Sequence, residues 1–168
     1  GIAYAYKSKG KHVITSKIEH PAVLNTCKKL EKEGFEVTYI GVDKNGIIDL
    51  EELKNSIKDT TTIISIMFAN NEIGTIEPIK EIAKIAKEHG VIFHTDAVQA
   101  VGNVAIDVKD LGIDALSMSA HKFHGPKGVG ALYVSNKVKF EKLIEAGHQE
   151  RNKRAGTENV AGIVGIGK

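Results

Sequence analysis

The sequence predicts an α/β fold built on a mostly parallel sheet, and three observations carry that prediction. Apolar runs of strand length alternate with amphipathic stretches of helix length along the chain, the order that produces parallel sheets covered by helices. One run, "TTIISIMFA" (residues 61–69), is almost continuously apolar, as expected of a strand buried on both faces. Proline and glycine stand at opposite ends of the helical stretches, where each is tolerated best.

The elements follow in chain order. "GIAYAY" at the start reads as the tail of a helix. "HVITS" (residues 12–16) reads as a short strand. Pro21 suits the first turn of the next helix and Gly34 its end, with Val23, Leu24, Cys27 and Leu30 at helical spacing. "FEVTYI" (residues 35–40) is a strand by its β-branched and aromatic content. "DLEELKNSI" opens with Asp49 as an N-cap and Glu52 three residues on, the spacing of a capping box. After the apolar strand, "PIKEIAKIAKEHG" is a helix with Ile79, Ile82, Ala83, Ile85 and Ala86 on one face, begun by Pro78 and ended by Gly90. "VIFHT" (91–95), "DALSMS" (114–119) and "GALYVS" (130–135) are three further strands, and "KVKFEKLIEA" is expected to resume a helix.

The bulk numbers exclude several classes of function. With 168 residues, 42% hydrophobic and 26% charged, the chain suits one globular domain with its own core. A net charge of +2, spread along the sequence, gives no basis for nucleic-acid or acidic-membrane binding. A single cysteine rules out an internal disulfide and makes a reducing cytoplasm the natural compartment. No apolar run is long enough to span a bilayer, and the first residues carry no signal-peptide pattern. "GIAYAY" at one end and "NVAGIVGIGK" at the other read as cut elements, so a piece of a longer protein is expected.

Parallel sheets bind ligands beyond the carboxyl ends of their strands, and those ends are chemically distinctive here. They carry "KIEHP" with His20, "ANNEIG" with Asn70, Asn71 and Glu72, "HTDAVQ" with His94, Asp96 and Gln99, and "SAHKFHGPKG" with Ser119, His121, Lys122 and His124. A lysine whose pKa is lowered by burial or by cationic neighbours presents a free amine, which condenses with aldehydes. Pyridoxal phosphate is the common aldehyde cofactor, and its pyridine nitrogen requires an acidic partner. Asp96 fits that requirement. Asn71 and Gln99 can bond a ring hydroxyl, His20 can stack on a ring, and Ser119 and His121 can hold a phosphate with backbone N–H groups. Plainer roles stand beside these. A lysine near glycines is commonly solvated. Asp96 can be a helix N-cap, "NNEIG" a simple turn, and His94 a packed residue. His12, His89 and His148 read as surface or element-end residues. Paired ligands such as His94 with Asp96 suggest a metal, but no metal-binding spacing is present. "GPKGVG" lacks the spacing of a phosphate-binding P-loop, and no Gly-x-Gly-x-x-Gly follows a strand.

Five segments taken together resemble the cysteine desulfurases of the NifS/IscS type: "ITSKIEHPAVLNTCKKLEKEGFEVTYI", "IMFANNEIGTIEPI", "HTDAVQAVGNVAIDV", "SMSAHKFHGPKGVGALYV" and "RAGTENVAGIVG". These are class V, fold-type I enzymes dependent on pyridoxal 5'-phosphate, and the resemblance spans the whole chain in the family's order. It implies a three-layer α/β/α large domain with a mixed sheet, of which residues 1–168 would be a central fragment without the small domain. It implies that Lys122 is the Schiff-base lysine, Asp96 the pyridine-nitrogen partner and His20 the residue on the ring face. Asn71 and Gln99 match residues near the ring hydroxyl, and Ser119 and His121 match phosphate ligands. Thr157 matches a threonine that reaches the cofactor of the other subunit in a homodimer. The implied substrate is L-cysteine, which becomes L-alanine while its sulfur passes to a catalytic cysteine as a persulfide. A sulfur acceptor or iron–sulfur scaffold protein would then receive it.

The chain departs from the family's pattern by what it lacks. The family's sulfur-accepting cysteine and its substrate-carboxylate arginine fall beyond the last residue, and a phosphate-binding turn falls before the first. Cys27 does not match the nucleophile and is expected to be a packed core residue. The chain alone is therefore expected to be inactive as a desulfurase. Selenocysteine lyase, cysteine sulfinate desulfinase and a non-catalytic truncated cofactor-binding domain are the alternatives.

Overall fold

The apolar run at Thr61 forms the middle of a six-stranded sheet. The computed structural model describes residues 1–168. Its strands are β1 (His12–Ser16), β2 (Glu36–Ile40), β3 (Thr61–Ser65), β4 (Ile92–Asp96), β5 (Ala115–Ser119) and β6 (Gly130–Val134). The spatial order is β2-β1-β3-β4-β5-β6. The first five are parallel, and β6 returns antiparallel to β5, with Ser119 opposite Gly130. The sheet is thus mixed and mostly parallel, as the sequence predicts.

Helices cover both faces. On one face α3 (Leu50–Ser56) and α4 (Ile79–Glu88) bury Leu53, Ile79, Ile82 and Ile85 against Ile14, Ile64, Phe93 and Leu116. On the other, α1 (Ile2–Ala5) and α2 (Pro21–Lys32) bury Ile2, Cys27 and Leu30 against Val13, Ile63 and Ala115. Alternate residues of each strand feed the two clusters, as the pleat requires. The five residues expected on the apolar face of α4 are its five buried residues.

The helix ends follow from local chemistry. Pro21 is the first residue of α2. Gly34 ends it at φ +82°, with Phe35 N–H donating to Leu30 O and Gly34 N–H to Glu31 O. That is a Schellman pair, closed by the Phe35–Leu30 contact in the core. Gly90, Val91, Lys87 and Ala86 repeat it after α4.

Several expectations are corrected. Residues 66–69 remain buried but lie beyond the end of β3 at Ser65, with Ile66 N–H and Phe68 N–H still donating to His94 O and Asp96 O of β4. The neighbouring strand boundaries move by one residue at β2, β4, β5 and β6. "KVKFEKLIEA" forms turns and bends instead of a helix. Val138 and Phe140 both pack beside α1, whereas residues two apart on a helix point to different sides. Leu143 and Ile144, 73% and 53% exposed, have no surface to bury against. A short α5 (Gln149–Asn152) follows, with Glu150, Arg151 and Asn152 at positive φ, and α6 (Val160–Gly167) closes the chain. Asp49 caps α3 by accepting from Glu51 and Glu52 N–H. The capping box is not completed, because Glu52 Oε2 accepts from Gly41 N–H instead. His12 stands at an element end, as the first residue of β1, but is fully buried rather than on the surface. Its ring bridges Thr61 Oγ1 at 2.7 Å and Thr38 Oγ1 at 2.9 Å, and burial lowers its pKa.

Candidate functional site

Strands β1, β3, β4 and β5 are adjacent and parallel, so their carboxyl ends lie along one edge of the sheet. At the usual strand spacing that edge is roughly 14 Å across. It carries His20 after β1, Asn71 after β3, Asp96 and Gln99 at and after β4, and Ser119, His121 and Lys122 at and after β5. Seven of the eight site residues expected from the sequence therefore stand along this edge. Thr157 does not; it is exposed in the loop before α6.

Each side chain is placed by a local device. His20 is the N-cap of α2, its Nδ1 accepting from Ala22 N–H at 3.1 Å, which assigns the ring proton to Nε2. Asp96 accepts from Val98 N–H through Oδ1 at 3.0 Å, as a turn-capping aspartate does, and leaves Oδ2 without a partner in the chain. The cap and ligand readings of Asp96 are thus compatible. Lys122 lies on a 3₁₀ turn, Ala120–Phe123. His124 at φ 66° ends that turn, and Gly125 N–H donates back to Ala120 O. A Cβ on Gly125 would stand 2.8 Å from Ala120 Cβ, so only glycine closes the turn without displacing it. Ser119 Oγ and His121 Nδ1 are 2.9 Å apart. Lys122, His121, His124 and Asn71 are exposed; burial of the lysine, one of the two activating conditions named above, is not met.

Three residues not predicted as parts of the site support it from behind. His94 lies two residues before Asp96, on the same face of β4. Its nitrogens engage Ser65 Oγ at 2.8 Å and Ser117 Oγ at 2.9 Å, spanning three strands. Burial pushes its pKa down to about 4, so the ring is neutral beneath the aspartate. Asn70, 8% exposed, donates from Nδ2 to Ile18 O at 3.0 Å. Its Oδ1 accepts from Glu72 and Ile73 N–H, which turns the chain so that Asn71 faces outward. Glu19, 4% exposed, accepts through Oε1 from Ser16 Oγ–H and Met67 N–H, both at 2.7 Å. The signal for Glu19 was its place between an apolar strand and Pro21, where a charged side chain has little water to reach. No three His, Cys, Asp or Glu side chains come together in a geometry that could hold a metal, and no helix is long and apolar enough to cross a membrane.

Comparison with known proteins decides the family. The family described as aminotransferase class-V matches residues 1–168. The chain belongs to the class-V aminotransferase family. As a class-V chain it is 66% identical to cysteine desulfurase IscS of Clostridium botulinum (strain Hall) and 65% identical to that of Methanosarcina thermophila, in each case over its whole length. It spans about 42% of the length of these relatives. Among solved structures it superposes on a NifS-like protein with a TM-score of 0.95 at 45% identity, covering 98% of this chain and 46% of that one. It superposes on SspA, solved in complex with cysteine, with a TM-score of 0.91 at 44% identity, covering 99% and 49%. Class-V enzymes of this kind depend on pyridoxal phosphate.

Proposed function

We propose that this chain provides the pyridoxal-phosphate-holding part of the large domain of a cysteine desulfurase. The supporting observation is the row of polar groups at one sheet edge: the Lys122 amine, Asp96 Oδ2 and the side-chain amides of Asn71 and Gln99, none of them bonded within the chain, and the Ser119–His121 pair, bonded only to each other. That donor set fits the cofactor group by group. Lys122 would anchor it, Asp96 would face the pyridine nitrogen, and Asn71 and Gln99 would bond the ring hydroxyl. Ser119 and His121 would take the phosphate, and His20 would cover the ring face. Pyridoxal phosphate, when bound, supplies an aldehyde and an electron-withdrawing ring. The chain's own residues do the rest. Asp96 Oδ1 is fixed by Val98 N–H, which leaves Oδ2 to face the pyridine nitrogen. His94, held neutral between two serines, keeps a second charge away from that carboxylate. The Lys122 amine moves a proton when it is free, and His20, capping α2 through Nδ1, presents Nε2–H.

L-cysteine is the proposed substrate, consistent with the cysteine held by SspA and with the relatives' names. A second copy of the chain is the proposed partner facing Thr157, and a sulfur acceptor such as an iron–sulfur scaffold would take the product sulfur. Cys27 is not the sulfur-carrying thiol. It is 3% exposed, and burial pushes its pKa up to about 11, against thiolate formation.

The test is a titration of pyridoxal phosphate into the chain, followed by visible absorption. A saturable one-to-one signal is expected, absent in Lys122→Ala and weaker in Asp96→Ala. L-cysteine should then perturb the bound cofactor at lower concentration than L-serine. An unsaturable signal indifferent to Lys122 would overturn the cofactor site, and equal responses to the two amino acids would overturn the substrate.

A further inference from the structure

Glu19 is the least explained buried group in the molecule. It is an acid between β1 and the N-terminus of α2, with two donors on one oxygen and none on the other. Carboxylates buried to this degree are normally matched by a cation. No cation acts on this one. The charged groups that act on it are Asp96 at the end of β4 and Glu77 ahead of α4, both acidic, and each opposes a negative charge at Glu19.

The bonds that Glu19 makes join two pieces of the site. Its backbone precedes His20, and its Oε1 holds Met67 N–H across the gap between β1 and β3. One residue earlier, Ile18 O accepts from Asn70 Nδ2, and Asn70 precedes Asn71. Residues 18–19 and 67–70 are thus pinned together twice, immediately beneath His20 on one side and Asn71 on the other.

We propose that Glu19 is a positioning residue of this site, a buried acid that straps the turn bearing His20 to the segment bearing Asn71 and holds a proton in mildly acidic solution. The assignment of His20 and Asn71 to a cofactor rests on the proposed function; the strap and the proton do not. When protonated, Glu19 keeps both bonds through Oε1 while adding no second negative charge beside Asp96. The burial that pushes its pKa up to about 7 acts in the same sense.

The proposal is tested on the full chain with Glu19→Gln, which retains an oxygen for Ser16 and Met67, and Glu19→Ala, which does not. Three readouts are compared. Infrared difference spectra at about pH 6, below the value of about 7 for this group, should show the C=O stretch of a protonated carboxyl in the native chain and not in Glu19→Gln. Hydrogen exchange of the Met67 amide should be slow in the native chain and in Glu19→Gln. Pyridoxal-phosphate affinity should be preserved within about twofold in Glu19→Gln and fall roughly tenfold in Glu19→Ala, the effect of losing one or two buried hydrogen bonds. The proposal is overturned if no protonated-carboxyl band is lost in Glu19→Gln, or if Glu19→Gln exchanges Met67 fast and binds weakly. It is also overturned if Glu19→Ala leaves both Met67 exchange and affinity unchanged. If Glu19→Ala does not fold, the band and the behaviour of Glu19→Gln still decide. If the native chain fails to take the cofactor at Lys122, the proposed function falls, while the infrared and exchange results still judge Glu19.

Discussion

Replacing Glu19 by glutamine should change how stability depends on pH, by an amount the structure sets. Burial raises the Glu19 pKa from an ordinary 4.5 to about 7. Between those values the folded chain holds a proton that the unfolded chain has released. Stability from this group is therefore full below the unfolded value and is lost as pH rises through the folded value. A shift of this size corresponds to about 3 kcal/mol. His94 acts in the opposite direction. Burial lowers its pKa from 6.5 to about 4, so its contribution is present at neutral pH and lost on acidification. The two slopes overlap and partly cancel in the native chain, which is why the difference between variant and native is the informative quantity. Glutamine places an unpartnered N–H₂ where Oε2 sits, a constant offset of about 1–3 kcal/mol, but it does not titrate. Urea unfolding from about pH 5 to pH 8 should show Glu19→Gln gaining about 2.5 kcal/mol on the native chain across that range. Parallel curves for the two proteins would refute the buried-acid reasoning.

Gly125→Ala places a methyl against Ala120; it should cost about 1–3 kcal/mol in overpacking and reduce reaction of Lys122 with pyridoxal phosphate, read by absorbance. Ile82→Ala, at a fully buried position on α4, should destabilise by about 2–5 kcal/mol in urea without altering which lysine takes the cofactor. Cys27 should alkylate slowly in the folded chain, since burial holds its thiol pKa at about 11, and quickly once urea exposes it; equal rates would contradict its packing.

The fold was legible where local chemistry and burial agree. Pro21, Gly34 and Gly90 mark helix ends by backbone preference alone, and the face of α4 is read directly from its spacing. "KVKFEKLIEA" misled because its composition favours a helix while Val138 and Phe140 are drawn to a strand-like spacing by the cluster beside α1. The element-end place of His12 was legible but its burial was not, because a histidine at a strand's start is ordinarily accessible and only the neighbouring strands supply Thr38 and Thr61 to satisfy it. The strand-end residues were legible as a group, since parallel strands bring their carboxyl ends together whatever the details. His94 was legible as a packed residue, and its bonds to Ser65 and Ser117 on the neighbouring strands bear that out. Glu19 was not legible as part of the site, because its bond to Met67 reaches 48 positions along the sequence.

The most direct test of the central claim is to locate the cofactor's attachment point. The chain is mixed with pyridoxal phosphate, reduced with borohydride, digested, and mapped by mass spectrometry. Label confined to Lys122, and lost in Lys122→Ala, is the predicted result. Label spread over the exposed lysines without preference for Lys122 would contradict the site.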